Sequence, residues 1–313
     1  MKKNLVKKAV LPALVALLCS VVALTSVSYA WFTMGNQATV DEMQLNVTTS
    51  EGLQISATGN ADSYKSLIKA SEFDTAELKA KGNNFPTSVS PVSTDGSYSA
   101  GTQAMFKGTI NREGKLWSSA DDTKNYIVFD LYIQASTNYT LVLDKGSSVT
   151  SATETHKASR VSFINLGFGK TAADAQNLVL TELNGTAKIW EPNFKERATV
   201  VKTNQINGHT ADSVDAIPYF GLNKAIAQAS AMTLADVNKA DSGVSKKVEV
   251  LAPAYDGTTG ATTDQKDLFS LTQGYNRIRI YVWLEGQDVD CVNEIAGGQL
   301  VITLNLAVKT VTA

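Results

Sequence analysis

The sequence predicts an all-β chain: one jelly-roll-like β-sandwich with loop and short-helix insertions. Three observations carry that expectation. Apolar side chains recur at every second position in several separate segments, the period of a strand with one buried face. Such segments stand near both ends of the chain and in its middle, with no fixed-period repeat and no clear linker between them. Hydrophobic residues make up 43% and charged residues 19% of the 313, which is enough for a large core and too light a charge load for a disordered chain.

The first element is a leader. Lys2, Lys3, Lys7 and Lys8 form a positive start, Ala9 to Leu24 is apolar and uncharged, and Ser28 and Ala30 put small residues at the −3 and −1 positions of a cleavage site before Trp31. Residues 1–30 are therefore expected to be a secretory signal peptide, cut between Ala30 and Trp31. The apolar run is short for a membrane anchor. Cys19 follows Leu18 and sits inside the run, which argues against lipidation. Removing a leader with four Lys and no acid changes the net charge from −2 to −6 and leaves Cys291 as the one cysteine. A single cysteine makes no internal disulfide. Cys291 is then a small buried apolar residue or an intermolecular thiol.

Residues 31–313 are expected to form the single sandwich domain. Met43, Leu45 and Val47 alternate with polar neighbours, and Leu53, Ile55 and Ala57 follow. Ala61 to Gly82 has a helical or loop texture; Asn83 to Gly101 reads as loop. Ile127, Phe129, Leu131 and Ile133 alternate, and Leu141 and Leu143 resume after Ser136-Thr137-Asn138, which suggests a hairpin. Short helices are expected within Thr171–Leu180 and Tyr219–Val237. Ile278 to Leu284 and Leu300 to Val308 are the clearest strands. Strong strands at both ends of one domain are what a jelly roll explains, because it brings them into one core.

The composition excludes several functions. Net charge −2 and a pI near 5.8 leave no footprint for nucleic acid. There is no His-Glu-x-x-His and no Gly-x-Ser-x-Gly. His156 and His209 lie far apart in polar, loop-like settings. Gly167-Phe168-Gly169-Lys170-Thr171 lacks the earlier glycine that a phosphate-binding loop requires. Glu285, Asp288, Asp290 and Glu294 share one connection and offer oxygen ligands for calcium, though in no EF-hand spacing; a solvated acidic loop is the other reading. No catalytic residue and no cofactor is expected. Tyr132, Tyr281 and Trp283 alternate with the apolar face, so they either stack on sugar rings from an exposed outer face or lie under a second cover.

The boundary itself is unusual. Cleavage would expose Trp31-Phe32-Thr33-Met34, an apolar terminus that is unfavourable in water unless it packs somewhere. Ser28-Tyr29-Ala30-Trp31-Phe32-Thr33, followed by Ala38-Thr39-Val40 and Met43 to Val47, resembles the TasA/camelysin family of secreted biofilm-fibre subunits of Gram-positive bacteria. Met34-Gly35-Asn36 stands where that family usually carries an acid. The resemblance implies processing by a SipW-type signal peptidase and a jelly-roll subunit that polymerises with itself, head to tail. Residues 31–50 would be the donor strand, with Ala38, Val40, Met43, Leu45 and Val47 along it. A further anchoring or minor fibre protein is an expected partner, and the expected location is the extracellular matrix or cell surface. Camelysins have also been described as metalloproteases, but two isolated histidines supply no ligand set here. The alternative function is a monomeric surface adhesin or carbohydrate-binding sandwich.

Overall fold

This computed structural model describes residues 44–49, 53–92, 94, 98–99, 101–111, 114–119, 125–152, 155–179, 187–190, 192, 248–251, 253–254, 256, 259–285, 291 and 298–310. The strands in chain order are β1 (Gln44–Thr49), β2 (Leu53–Ser56), β3 (Leu67–Lys69), β4 (Tyr98–Ser99), β5 (Thr102–Gln103), β6 (Phe106–Asn111), β7 (Gly114–Ser119), β8 (Ile127–Ala135), β9 (Tyr139–Leu143), β10 (Ser148–Thr150), β11 (Ser159–Gly169), β12 (Ala187–Trp190), β13 (Val248–Leu251), β14 (Lys266–Leu271), β15 (Gly274–Leu284) and β16 (Val301–Thr310). The helices among the described residues are short: α1 (Ala70–Phe73), α2 (Ala76–Ala80) and α3 (Ala172–Gln176). Thr75 caps α2 by accepting from the Leu78 N–H, and Thr171 caps α3 through a reciprocal box with Asp174. These helices lie where the sequence predicts them, within 61–82 and 171–180. The helix expected at 219–237 lies outside the described residues. None of the described helices is long and apolar enough to cross a membrane.

The fold is all-β. One sheet runs β14-β9-β16-β1-β3, with β10 also beside β16; the other runs β13-β12-β11-β15-β8-β2. Pairing is antiparallel except for β1 with β16 and β12 with β13. Two small ribbons, β4 with β5 and β6 with β7, stand apart.

The two sheets share one apolar cluster. Val47, Ile68, Leu141, Ile302 and Leu304 come from the first sheet; Ile55, Phe129, Leu131, Phe163 and Ile280 come from the second. All are fully buried, so the period-2 pattern of the sequence marks this interior face correctly. The first and last strong strands do meet, since β1 is hydrogen-bonded to β16.

One expectation is corrected. β8 and β9 do not form a hairpin. β8 pairs with β15 and β2, whereas β9 pairs with β14 and β16, so the Ser136-Thr137-Asn138 turn carries the chain from one sheet to the other. Turn residues reverse the chain, but they do not choose the sheet of the next strand.

The second sheet is covered on its other face as well. Tyr126, Val128, Ile164, Ile189, Tyr281 and Trp283 form a separate apolar cluster with Val92 and Met105. The cover comes from the segment before β6. Asn84 exchanges backbone bonds with Val128, and the Val92 N–H donates to the Leu284 carbonyl. The Gln103 N–H donates to the Tyr281 hydroxyl at 3.2 Å.

Candidate functional site

β1 is the described part of the segment 31–50 that the resemblance assigns as the donor strand, and its surroundings are specific. Gln44 to Thr49 run parallel to Val301 to Leu306 of β16. On its other side β1 pairs antiparallel with β3, Thr48 opposite Leu67 and Asn46 opposite Lys69. Val47 is fully buried between Leu304 and Ile68, also fully buried. β1 therefore fills a slot between a ten-residue strand and a three-residue one. Without β1, backbone N–H and C=O groups of both neighbours would lose their partners, and the slot would become a template for another strand. Three residues separate Thr49 from Leu53, which starts the edge strand of the opposite sheet.

A charged cluster lies on the outer face of the second sheet. Arg277 Nε and Nη2 donate to Asp130 Oδ2 at 3.0 and 2.5 Å. Arg279 Nε donates to Asp130 Oδ1 at 2.7 Å, and its Nη2 donates to Oδ2 at 3.0 Å. All three residues are buried. Their register explains the meeting: Arg279 is directly opposite Asp130, and Arg277 is opposite Tyr132. Burial alone would lower the Arg279 pKa, but the bonds to Asp130 outweigh it and push it up, so the guanidinium stays charged. Arg277 also lies over the Tyr132 ring, 5.4 Å from its centre. Gly59, at φ +75°, lets its backbone approach that ring where a Cβ would sit 2.8 Å away. The cluster also ties down the cover, because the Asp130 N–H donates to Asn83 Oδ1 at 3.1 Å.

The exposed-aromatic reading is overturned. Tyr132, Tyr281 and Trp283 are 3%, 1% and 0% exposed, so none of them offers a ring to a sugar. They belong to a strand face that is covered on its second side.

The acidic connection is also different from a solvated loop at its first residue. Glu285 is buried and accepts the Trp283 indole N–H at 3.1 Å. Asp288, Asp290 and Glu294 lie outside the described residues, as do Ala30, Trp31, Ala38, Val40 and Met43. Leu45 is placed by its backbone in β1, opposite Ile302. Among the described residues no three His, Cys, Asp or Glu side chains gather as a metal set would. Cys291 is fully buried within the main core, in agreement with the small-apolar reading rather than an intermolecular thiol. His156 is half-buried on a 3₁₀ turn, not in an exposed loop, and His209 lies outside the described residues.

The Gly-Phe-Gly-Lys-Thr turn has a structural explanation. A Cβ on Gly169 would lie 2.4 Å from the Ala175 nitrogen, so glycine there allows α3 to fold back on β11. Sequence reasoning missed two things: that Asp130 is the partner of both arginines, and that this turn presents Phe168 to solvent. The opposite charges on β8 and β15 were the available signal for the first.

No family model, no curated protein and no solved structure matches this chain.

Proposed function

We propose that this chain is a secreted structural subunit of an extracellular, biofilm-matrix filament. Its two-sheet β domain is jelly-roll-like. After the leader is removed by a SipW-type peptidase, subunits assemble head to tail by donor-strand complementation. The role is structural, and the partner is a second copy of the same chain.

The observation that carries this reading is the position of β1. It is the first described strand, it pairs parallel with the last, and it is linked to the rest of the fold by three residues. In exchange, Gln44–Thr49 of one copy would occupy the same slot in the next, parallel to that copy's β16. Each hydrogen bond broken within a copy is remade between copies, so the exchange costs only hinge strain and association entropy. A head-to-tail exchange does not close, so it propagates. While the leader remains attached, the segment stays tethered, and processing gates assembly. Main-chain bonds supply affinity, and alternate side chains such as Val47 supply register.

The test is electron microscopy and sedimentation of the mature protein beside Val47→Asp. Fibres from the first and soluble species from the second are expected, since a carboxylate at a fully buried strand position cannot seat in the slot. A mature protein that remains monomeric under all assembly conditions would sink the reading.

A further inference from the structure

At one end of the molecule the space between the two sheets opens into a groove of about 1360 Å³. Its floor is the last row of the interior face: Leu53 of β2 beside Ala135 of β8, both buried, and then Gly274 of β15. Its walls are polar. Asn138 and Gln273 bring side-chain amides from two turns, and Lys65 and Lys170 bring positive charge. None of the described side chains lining it is a carboxylate. That sign is opposite to the net negative charge of the whole chain.

Phe168 stands in this groove and is 42% exposed, whereas Phe73, Phe129 and Phe163 are fully buried. A β-bulge puts it there. Between Asn165 and Gly167 the register with β15 shifts by one residue, so Asn165 lies opposite Ile278 but Phe168 lies opposite Asn276. Before the bulge, even-numbered residues of β11 such as Ile164 and Leu166 face the outer cluster. After it, the even-numbered Phe168 shares the face of Ile278 and Ile280, at the mouth of the groove. Bulges that re-aim one side chain are common beside functional sites.

The wall is preorganised. Gln273 N–H donates to Asn138 Oδ1 at 2.9 Å, and its Nε2 donates to the Ser136 carbonyl at 3.1 Å, so the two turns brace one another. Lys65 is paired with Glu72, while Lys170 has no ion-pair partner among the described residues.

We propose that this groove binds an acidic polysaccharide, with one sugar ring stacked on Phe168, its carboxylate on Lys170, and its hydroxyls on the amides of Asn138 and Gln273. Side-chain amides both donate and accept, as sugar hydroxyls do, and an aromatic ring covers the apolar face of a pyranose. Phe168 and Lys170 come from the end of β11, which does not pair with β1, so retention on the polymer and fibre formation are separate readouts.

The experiment is retention of the secreted protein on immobilised polygalacturonate, with neutral dextran as the control matrix, comparing the native chain with Phe168→Ala and Lys170→Gln. Both side chains are exposed, and circular dichroism and thermal midpoint check that the variants fold. The expected result is retention on the acidic polymer and weak retention on dextran. Phe168→Ala should reduce affinity for the acidic polymer at least tenfold. Lys170→Gln should reduce it severalfold and leave dextran binding unchanged. No retention by the native protein, or equal retention by a folded Phe168→Ala, overturns the proposal. So does loss of fibres in Phe168→Ala with retention unchanged, which would make the groove a contact between subunits instead.

Discussion

Replacing Asp130 with Asn tests the buried charge cluster directly. Asp130 is 4% exposed and accepts four N–H bonds from two guanidiniums, themselves buried. An asparagine keeps one acceptor oxygen and turns an NH₂ group toward donors that cannot accept. Oδ2 takes three of the four charge-assisted bonds and Oδ1 one, so one or three of them are lost, and two positive charges remain side by side with no counter-ion. Removing one partner of a buried ion pair costs about 3–5 kcal/mol. A domain has only about 5–15 kcal/mol in total, so the variant should lose a large share of its stability. At about 2–4 °C per kcal/mol for a chain of this size, the midpoint should fall by roughly 6–20 °C. Urea titration followed by tryptophan fluorescence measures it, because Trp190 and Trp283 are fully buried. The loss should persist in 1 M salt, since buried charges are poorly screened. A triple variant, Asp130→Leu with Arg277→Met and Arg279→Met, should recover most of it by removing every charge. A cost below about 1 kcal/mol for Asp130→Asn would refute the reasoning, because it would mean that the guanidiniums reach water.

Three further outcomes follow from the same structure. Trp283→Ala should cost about 3–5 kcal/mol in chemical denaturation, as a cavity inside the outer cluster, with no change in glycan retention for the folded fraction. Gly169→Ala should cost about 1–3 kcal/mol by thermal unfolding, because the new methyl meets the backbone of α3 rather than a movable side chain. Burial raises the phenol pKa of Tyr64, Tyr132 and Tyr281 above the usual value of 10.0. A phenol is neutral when protonated, so the folded state holds these protons more tightly than the unfolded one. Their stabilising contribution is complete below about pH 10 and fades as the pH rises further. Absorbance at 295 nm should therefore show them ionising together with loss of the near-ultraviolet circular dichroism signal, and independent titration in a still-folded protein would contradict their burial.

The interior face was legible because burial of one face writes a period of two into each strand. Val47, Ile55, Leu131, Ile280 and Leu304 all follow it, and all are buried in the shared core. The opposite face was not legible, and the reason is specific. β8 carries Val128, Asp130 and Tyr132 on its outer side, while β15 carries Arg277, Arg279, Tyr281 and Trp283. Read one strand at a time, each of these series looks half-solvated. Only the register, which sets Arg279 against Asp130, pairs these charges and lets a segment before β6 cover the aromatics. That pairing joins residues 149 positions apart, and no local pattern encodes it. The β8–β9 turn failed for a related reason, since Ser136 to Asn138 specify a reversal but not a sheet.

Phe168 shows the same limit in its sharpest form. A strict period of two places it with Ile164 and Leu166 on the covered outer face. The single extra residue between Asn165 and Gly167 reverses that assignment and sends the ring to the mouth between the sheets. Gly167, at φ +118°, is the local mark of the irregularity, because few other residues adopt that backbone. The glycines of Gly167-Phe168-Gly169-Lys170 thus do separate jobs. Gly167 re-aims the strand, and Gly169 admits α3 against it. The two side chains between and after them, Phe168 and Lys170, are both exposed and both line the groove. A motif that resembles a phosphate loop in composition is here a strand end shaped to present one ring and one ammonium group. The sequence could not separate these readings, since the difference lies in a one-residue shift against β15.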